Sequence, residues 1–325
     1  MGLKVSITAD FYEENGDPKY SDFGLSVFDG KESLEVTALT EHQDEIGPTQ
    51  LVDANGVLVL TPRVTSNSLR DSSNLLVVSR FGVGFDSVDV AACTERDVLV
   101  TIAKGAVDRP VAEATIAWML ALNHKVLQKD QLVRTGEWEA RSGLMGTELR
   151  DKTLGVIGLG GIGSQLVSLI RGFGMNQPIA FDPFASNEAF EKLGVKKCSL
   201  EELLVNADFV SLHCPLTEDT MNLIETEQLE QMKPTAYLLN MARGGVVDED
   251  ALFEALTTRR IAGAALDCFV DEPITAPHRF SELDNVILAP HSIAWTNELF
   301  RDIGRMACTS IVDVLSGTIP RGIVN

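Results

Sequence analysis

The segment TLGVIGLGGIGSQLVSLIRGFGMNQPIAFD, residues 153–182, constrains the fold of this chain more than any other stretch. It carries the pattern G-x-G-x-x-G as Gly158, Leu159, Gly160, Gly161, Ile162 and Gly163. The pattern directly follows a strand-like run from Leu154 to Ile157. It precedes a segment in which Ile162, Leu166, Leu169 and Ile170 share one helical face. A glycine match alone is weak; this context gives it chemical meaning. Gly158 permits a tight turn, Gly160 lets a pyrophosphate approach the backbone, and Gly163 lets the helix pack closely on the strand. The exposed N–H groups and the helix dipole supply positive potential. Asp182 ends the next strand about 20 residues on, where an acid accepts hydrogen bonds from an adenosine ribose. Its charge repels a 2′-phosphate, and no Arg or Lys follows in DPFASNEAF (182–190), so NAD is expected rather than NADP. A glycine turn beside a surface aspartate leaves the coincidence of strand, loop, helix and acid unexplained. The segment reads as the opening of a Rossmann-type domain.

Short β-branched runs alternate with helical patterns on both sides of this loop. Strands are predicted at 3–8, 34–39, 56–60, 75–80 and 98–103, and again at 153–160, 177–183, 208–213, 236–242, 263–268 and 285–291. This rhythm predicts an α/β chain with parallel strands in two lobes. A long connecting helix is expected from about Asp108 to Asp130, with Pro110 tolerated in its first turn. SLEE (199–202) offers a capping box with Ser199 as N-cap and Glu202 at N3. A final helix from about Asn297 to Ser316 places Phe300, Ile303, Ala307 and Ile311 on one face before Gly317 ends it.

The formal net charge of −20 is spread along the chain and repels nucleic acid and anionic lipid. No apolar stretch approaches the roughly 20 residues that a membrane span needs. The start, MGLKVSITAD, resembles a strand and no export signal. The five cysteines, Cys93, Cys198, Cys214, Cys268 and Cys308, are widely spaced and never in CxxC form. That spacing argues against a disulfide framework or a zinc site and fits a reducing cytoplasm; no metal is expected. An anionic cofactor or substrate must therefore be held by local positive features.

Hydride transfer to a 2-oxo acid needs a cation for the carboxylate, an acid for the forming alkoxide, and a group that tunes that acid. Three candidates follow late strands, where open α/β sheets build their sites. Arg243 follows AYLLNMA in a GG-containing turn, and its planar guanidinium suits a carboxylate, although an arginine there can equally cap a helix or pair with Asp248. His291 follows a strand and a proline in LAPH, and histidine shuttles protons near neutral pH, although a lone histidine is more often structural. Glu272, in VDEP, favours a charged imidazolium if it lies beside one.

The strings GVIGLGGIG, HCPLTEDT, LLNMARGGVVDEDAL, GAALDCFVDEP and VILAPHSIAWTNE, in this order, resemble the D-isomer-specific 2-hydroxyacid dehydrogenases over nearly the whole chain. The resemblance implies a substrate-holding Arg243 and an acid-base pair of Glu272 and His291. It implies cofactor contacts from Cys214, Pro215, Thr220, Met241 and Ala242, with Asp267 near the nicotinamide amide. RFGVG (80–84) resembles the loop that binds the substrate carboxylate, which points to Arg80, Val83 and Gly84. It also implies a Rossmann-type doubly wound parallel sheet, residues 104–294, inserted into a flavodoxin-like α/β substrate domain made of 1–103 plus 295–325. A homodimer is implied too, with GEWEARSGLMG (136–146) near the two-fold contact. Gly161 departs from the basic or polar residue often found in this phosphate loop. Val107 replaces an asparagine usual in the family's phosphoglycerate dehydrogenases, and the chain ends at Asn325 without a regulatory extension, both of which weaken a phosphoglycerate assignment.

The expected function is thus NAD-dependent interconversion of a small D-2-hydroxy acid and its 2-oxo acid. Trp295 is expected either to wall the pocket or to serve in packing. Two rivals stand beside this reading. One is a thiol nucleophile at Cys214 or Cys268, but His213 and Cys214 are strand neighbours that point to opposite faces. The other is an NAD-sensing, corepressor-like module, which the complete Arg/Glu/His set and the lack of a peptide-recruiting tail disfavour.

Overall fold

The computed structural model describes residues 2–325. The chain forms two compact units: one runs to Val107 and resumes over Trp295–Asn325, and the other is Asp108–Ala294. Each is built on its own parallel sheet.

The first unit has five strands, β1 (Leu3–Ile7), β2 (Leu34–Ala38), β3 (Gly56–Val59), β4 (Val77–Arg80) and β5 (Leu99–Ile102). Their order is β2-β1-β3-β4-β5, the flavodoxin-like arrangement. The central strands are buried on both faces, which is why they read as continuous apolar runs. Helix α1 (Val90–Thr94) leads into β5. The C-terminal helix, Asn297–Leu315, is N-capped by Thr296 and buries Phe300, Ile303, Ala307 and Ile311. It docks through polar groups as well: the Ala307 carbonyl accepts from Ser79 Oγ at 3.0 Å, and Ser79 accepts from Thr101 Oγ1 at 3.0 Å. Buried hydroxyls are thereby satisfied where β4 and β5 meet the helix.

The second unit has seven strands: β6 (Leu154–Ile157), β7 (Ile179–Phe181), β8 (Lys196–Lys197), β9 (Phe209–Leu212), β10 (Tyr237–Asn240), β11 (Gly263–Leu266) and β12 (Val286–Leu288). All are parallel, in the order β12-β11-β10-β9-β6-β7-β8. Counted from β6, this is the doubly wound order of a dinucleotide-binding sheet with one strand added at an edge. The switch point lies between β6 and β9. The helices are α2 (Asp108–His124), α3 (Val126–Thr135), α4 (Gly161–Leu169), α5 (Asn187–Leu193), α6 (Leu200–Asn206), α7 (Thr226–Gln231) and α8 (Glu249–Thr257).

Three expectations need correction. The long helix from Asp108 is broken after His124, because Lys125 adopts a left-handed φ of 51° that no α-helix can contain. Ser199 does cap α6 by accepting from Glu202 N–H, but the Glu202 carboxylate pairs with Lys196; the capping box of this unit is Glu225 with Gln228 on α7. Of the face expected at α4, Leu166 and Ile170 are buried but Ile162 and Leu169 only half-buried; Gly163 and Val167 complete the buried side, because Gly163 must face β6.

Candidate active site

The glycine loop follows β6. Gly158 has φ 93°, and a Cβ there would lie 2.8 Å from the Cys214 nitrogen, so this position demands glycine twice over. Gly163 packs against the Gly158 carbonyl and Val156, leaving no room for a side chain. Gly160 caps α4 with open space around it. The N-terminal N–H groups of α4 are thus presented behind a bare backbone, the form a pyrophosphate needs. Asp182, just past β7, ties the loop together: Oδ2 accepts from Leu159 N–H at 2.8 Å, and Oδ1 accepts from Phe184 and Ala185 N–H. Gly161 has a separate reason to lack a side chain, since an added Cβ would collide with the Asp108 carboxylate.

The other cofactor candidates sit around the same sheet edge. Cys214 and Pro215 follow β9, and the Thr220 hydroxyl donates to the Pro215 carbonyl at 2.6 Å and accepts from Thr217 N–H at 2.8 Å, so it fixes the turn. Met241 and Ala242 are buried after β10. Asp267 follows β11, and its Oδ1 accepts from Ser292 N–H at 2.9 Å and Ile293 N–H at 3.2 Å. Burial pushes the Asp267 carboxyl up from its usual range, against these two bonds and the His291 charge.

Arg243 is presented by a stapled turn. Asn240, buried at the end of β10, donates from Nδ2 to the Arg243 carbonyl at 2.8 Å and accepts from Ala242 N–H at 3.0 Å. Asp248 caps α8 through Oδ1, accepting from Asp250 and Ala251 N–H. A Cβ on Gly244 would strike the Phe269 carbonyl, so the Arg243 turn and the loop after β11 lie back to back. That loop carries Glu272, whose Oε1 accepts from Phe269 N–H at 2.8 Å and whose Oε2 lies 2.7 Å from His291 Nδ1. Burial opposes ionisation of Glu272, but the His291 hydrogen bond and charge, Phe269 N–H and the Arg243 cation outweigh it and hold the carboxyl below its ordinary range. Arg243 and His291, from separate turns, therefore both act on the Glu272 carboxylate within a single unit.

His291 has φ 53°, a conformation that costs a non-glycine residue about 1–3 kcal/mol and persists only when its surroundings enforce it. Asp267 supplies the enforcement by gripping the two residues that follow. No local pattern in the sequence announces this grip, whereas an Asn closing a strand before a turn is a usable signal for the Asn240 staple. The Asp108–Gly161 approach has no local signal at all.

In the first unit, Arg80 ends β4 and donates from Nη1 to the Phe81 carbonyl. Gly82, with φ 140°, lets the loop turn, and Val83 and Gly84 are half-buried beyond it. Trp295 packs edge-on against Tyr20 and Phe300, with ring centroids 5.9 and 5.0 Å away, as part of an aromatic cluster. The thiol rival finds no support. Burial pushes Cys214 up to about 11 and Cys268 higher still. The His213 ring is buried, pushed down to about 3, and bonded to Ser211 Oγ at 2.8 Å.

Residues 116–292 match the family described as D-isomer specific 2-hydroxyacid dehydrogenase, NAD binding domain. A D-3-phosphoglycerate dehydrogenase of Archaeoglobus fulgidus is 40% identical over 263 residues, 81% of this chain and 50% of that protein. The chain thus spans about half the length of that relative. A glyoxylate reductase of Aeropyrum pernix is 39% identical over 274 residues, 82% of this chain and 81% of the relative. A crystal structure of a Thermus thermophilus protein superposes with a TM-score of 0.86 at 30% identity, covering 99% of this chain and 100% of its own.

Proposed function

This chain belongs to the D-isomer specific 2-hydroxyacid dehydrogenases, and from that membership we propose that it interconverts a small D-2-hydroxy acid and its 2-oxo acid with NAD as cofactor. The observation that carries the reading is the 2.7 Å contact between His291 Nδ1 and Glu272 Oε2, in the same unit as the glycine loop. The bare loop, the α4 N-terminus and Asp182 fit a dinucleotide without a 2′-phosphate.

When bound, NAD supplies or accepts the hydride. The chain does the rest. Arg243 holds the substrate carboxylate in a planar, bidentate grip. With Nδ1 committed to Glu272, the other ring nitrogen of His291 gives its proton to the oxygen formed in reduction, and takes it from the hydroxyl in oxidation. Glu272 stabilises the charged ring between these events, and the Asp267 grip keeps the ring in place. In the first unit, Arg80 and the Val83–Gly84 backbone are proposed as an element that binds a substrate carboxylate. A glyoxylate, pyruvate, hydroxypyruvate and longer 2-oxo acid panel with NADH tests the reading; NADH binding without turnover across the panel favours the sensor instead.

A homodimer is proposed as well. Helix α3 buries none of its side chains, and Val126, Leu127, Val133, Trp138 and Met145 stand exposed on one stretch of chain. Exposed apolar surface of this density marks an interface. No helix among the described residues is long and apolar enough to cross a membrane.

A further inference from the structure

Cys268 sits one residue beyond Asp267, almost fully buried, with its Sγ donating to the Ala242 carbonyl at 3.3 Å. The proposed reaction has no use for it. Yet Sγ, a Glu272 carboxylate oxygen and a His291 ring nitrogen all lie within 4.8 Å of one another. Ligand atoms around tetrahedral zinc stand about 3.3–3.7 Å apart, given bonds of roughly 2.0–2.3 Å. Side-chain adjustments of about 1 Å would close the set around one ion.

We propose that Cys268, Glu272 and His291 form an inhibitory site for a thiophilic divalent cation of the zinc class, which on binding withdraws the acid-base pair from proton transfer. One sulfur, one imidazole and one carboxylate with a fourth position open to water is a zinc-type donor set, and it discriminates against magnesium and calcium. The access is right: the His291 and Glu272 side chains are 45% and 33% exposed, while the thiol forms the floor. The field favours a cation through Asp267 beside the site and the net charge of −20, with Arg243 opposing it. As the metal–sulfur bond forms, the thiol proton leaves to solvent; the ring nitrogen that binds the ion also loses its proton, to solvent or to the other ring nitrogen, and with it any hydrogen bond that proton made. No electron is transferred, so removing the ion restores the starting state.

The inhibition arm of the test rests on the proposed dehydrogenase reading; the binding arm does not. Metal-free protein is assayed for NADH oxidation with added Zn2+, then with Mg2+, and again after a chelator. In parallel, Co2+ is added and the thiolate-to-cobalt absorption in the near ultraviolet is recorded. The wild type is compared with Cys268→Val, Cys268→Ser and His291→Ala. Expected are chelator-reversible inhibition by Zn2+ but not Mg2+, and a cobalt–thiolate band that is lost in Cys268→Val and weakened in His291→Ala. Disturbing even an outer-shell partner costs about 10–100-fold in metal affinity, so Cys268→Val should need about tenfold more Zn2+ or more while keeping its metal-free turnover. Equal Zn2+ sensitivity in Cys268→Val overturns the proposal, as does a wild type with no cobalt–thiolate band or a band that survives the loss of Cys268. A protein that turns over no 2-oxo acid yet shows the Cys268-dependent band sinks the dehydrogenase reading and leaves the metal site standing.

Discussion

Replacing Glu272 by Gln removes a charge but leaves an oxygen able to accept from His291 Nδ1, so the geometry survives while the electrostatics change. A hydrogen bond to a charged group contributes about 1.5–3 kcal/mol. The two side chains are a third to nearly half exposed, so solvent screening brings this below that range, to about 1–1.5 kcal/mol. At about 1.4 kcal/mol per factor of ten, the loss corresponds to an interaction weakened about tenfold. The sign follows from mutual interaction: the contact that favours the Glu272 carboxylate also favours the protonated ring. Reduction requires that proton, so its alkaline limit should move to lower pH in Glu272→Gln. The assay is kcat/KM against pH for NADH oxidation with a 2-oxo acid that does not titrate in the range. A limit that stays at its wild-type position, even with kcat reduced, refutes the coupling.

His291→Ala should cost about 10²–10⁴-fold in turnover and leave the NADH Kd nearly unchanged, as read by fluorescence titration; loss of both would make the residue structural. Asp182→Ala should weaken NADH binding by about tenfold, since it removes hydrogen bonds to ribose and loop, and should narrow the preference over NADPH. An unchanged ratio removes Asp182 from cofactor choice. Val133→Asp, which places a charge on the exposed face of α3, should convert a dimer to monomer in light scattering, and no change would move the interface elsewhere.

Strand positions were legible because a parallel sheet covered on both faces must bury continuous apolar runs, as in Leu154–Ile157 and Phe209–Leu212. The edge strand Lys196–Lys197 was not: two exposed lysines carry no burial pattern, and only their pairing with β7 makes them a strand. The break at Lys125 was equally hidden, because the residue has ordinary helix propensity and its φ is imposed by the fold. At the site, Arg243, Glu272 and His291 were visible as residue types following strands and through the resemblance. What holds them was not. The Asp267 grip, the Cys268 thiol beside the pair and the Asp108 carboxylate beside Gly161 are contacts between distant segments, and no local pattern encodes them.

The carboxylate beside Gly161 bears on how the anionic dinucleotide is admitted. It stands beside the first turn of α4, in a chain whose overall charge already repels anions. Such repulsion reaches about 30 Å at 0.01 M salt but only about 3 Å at 1 M, while hydrogen bonds from the loop amides are short-ranged and little affected. Capture of NADH should consequently become tighter as ionic strength rises, the reverse of what a basic phosphate site shows.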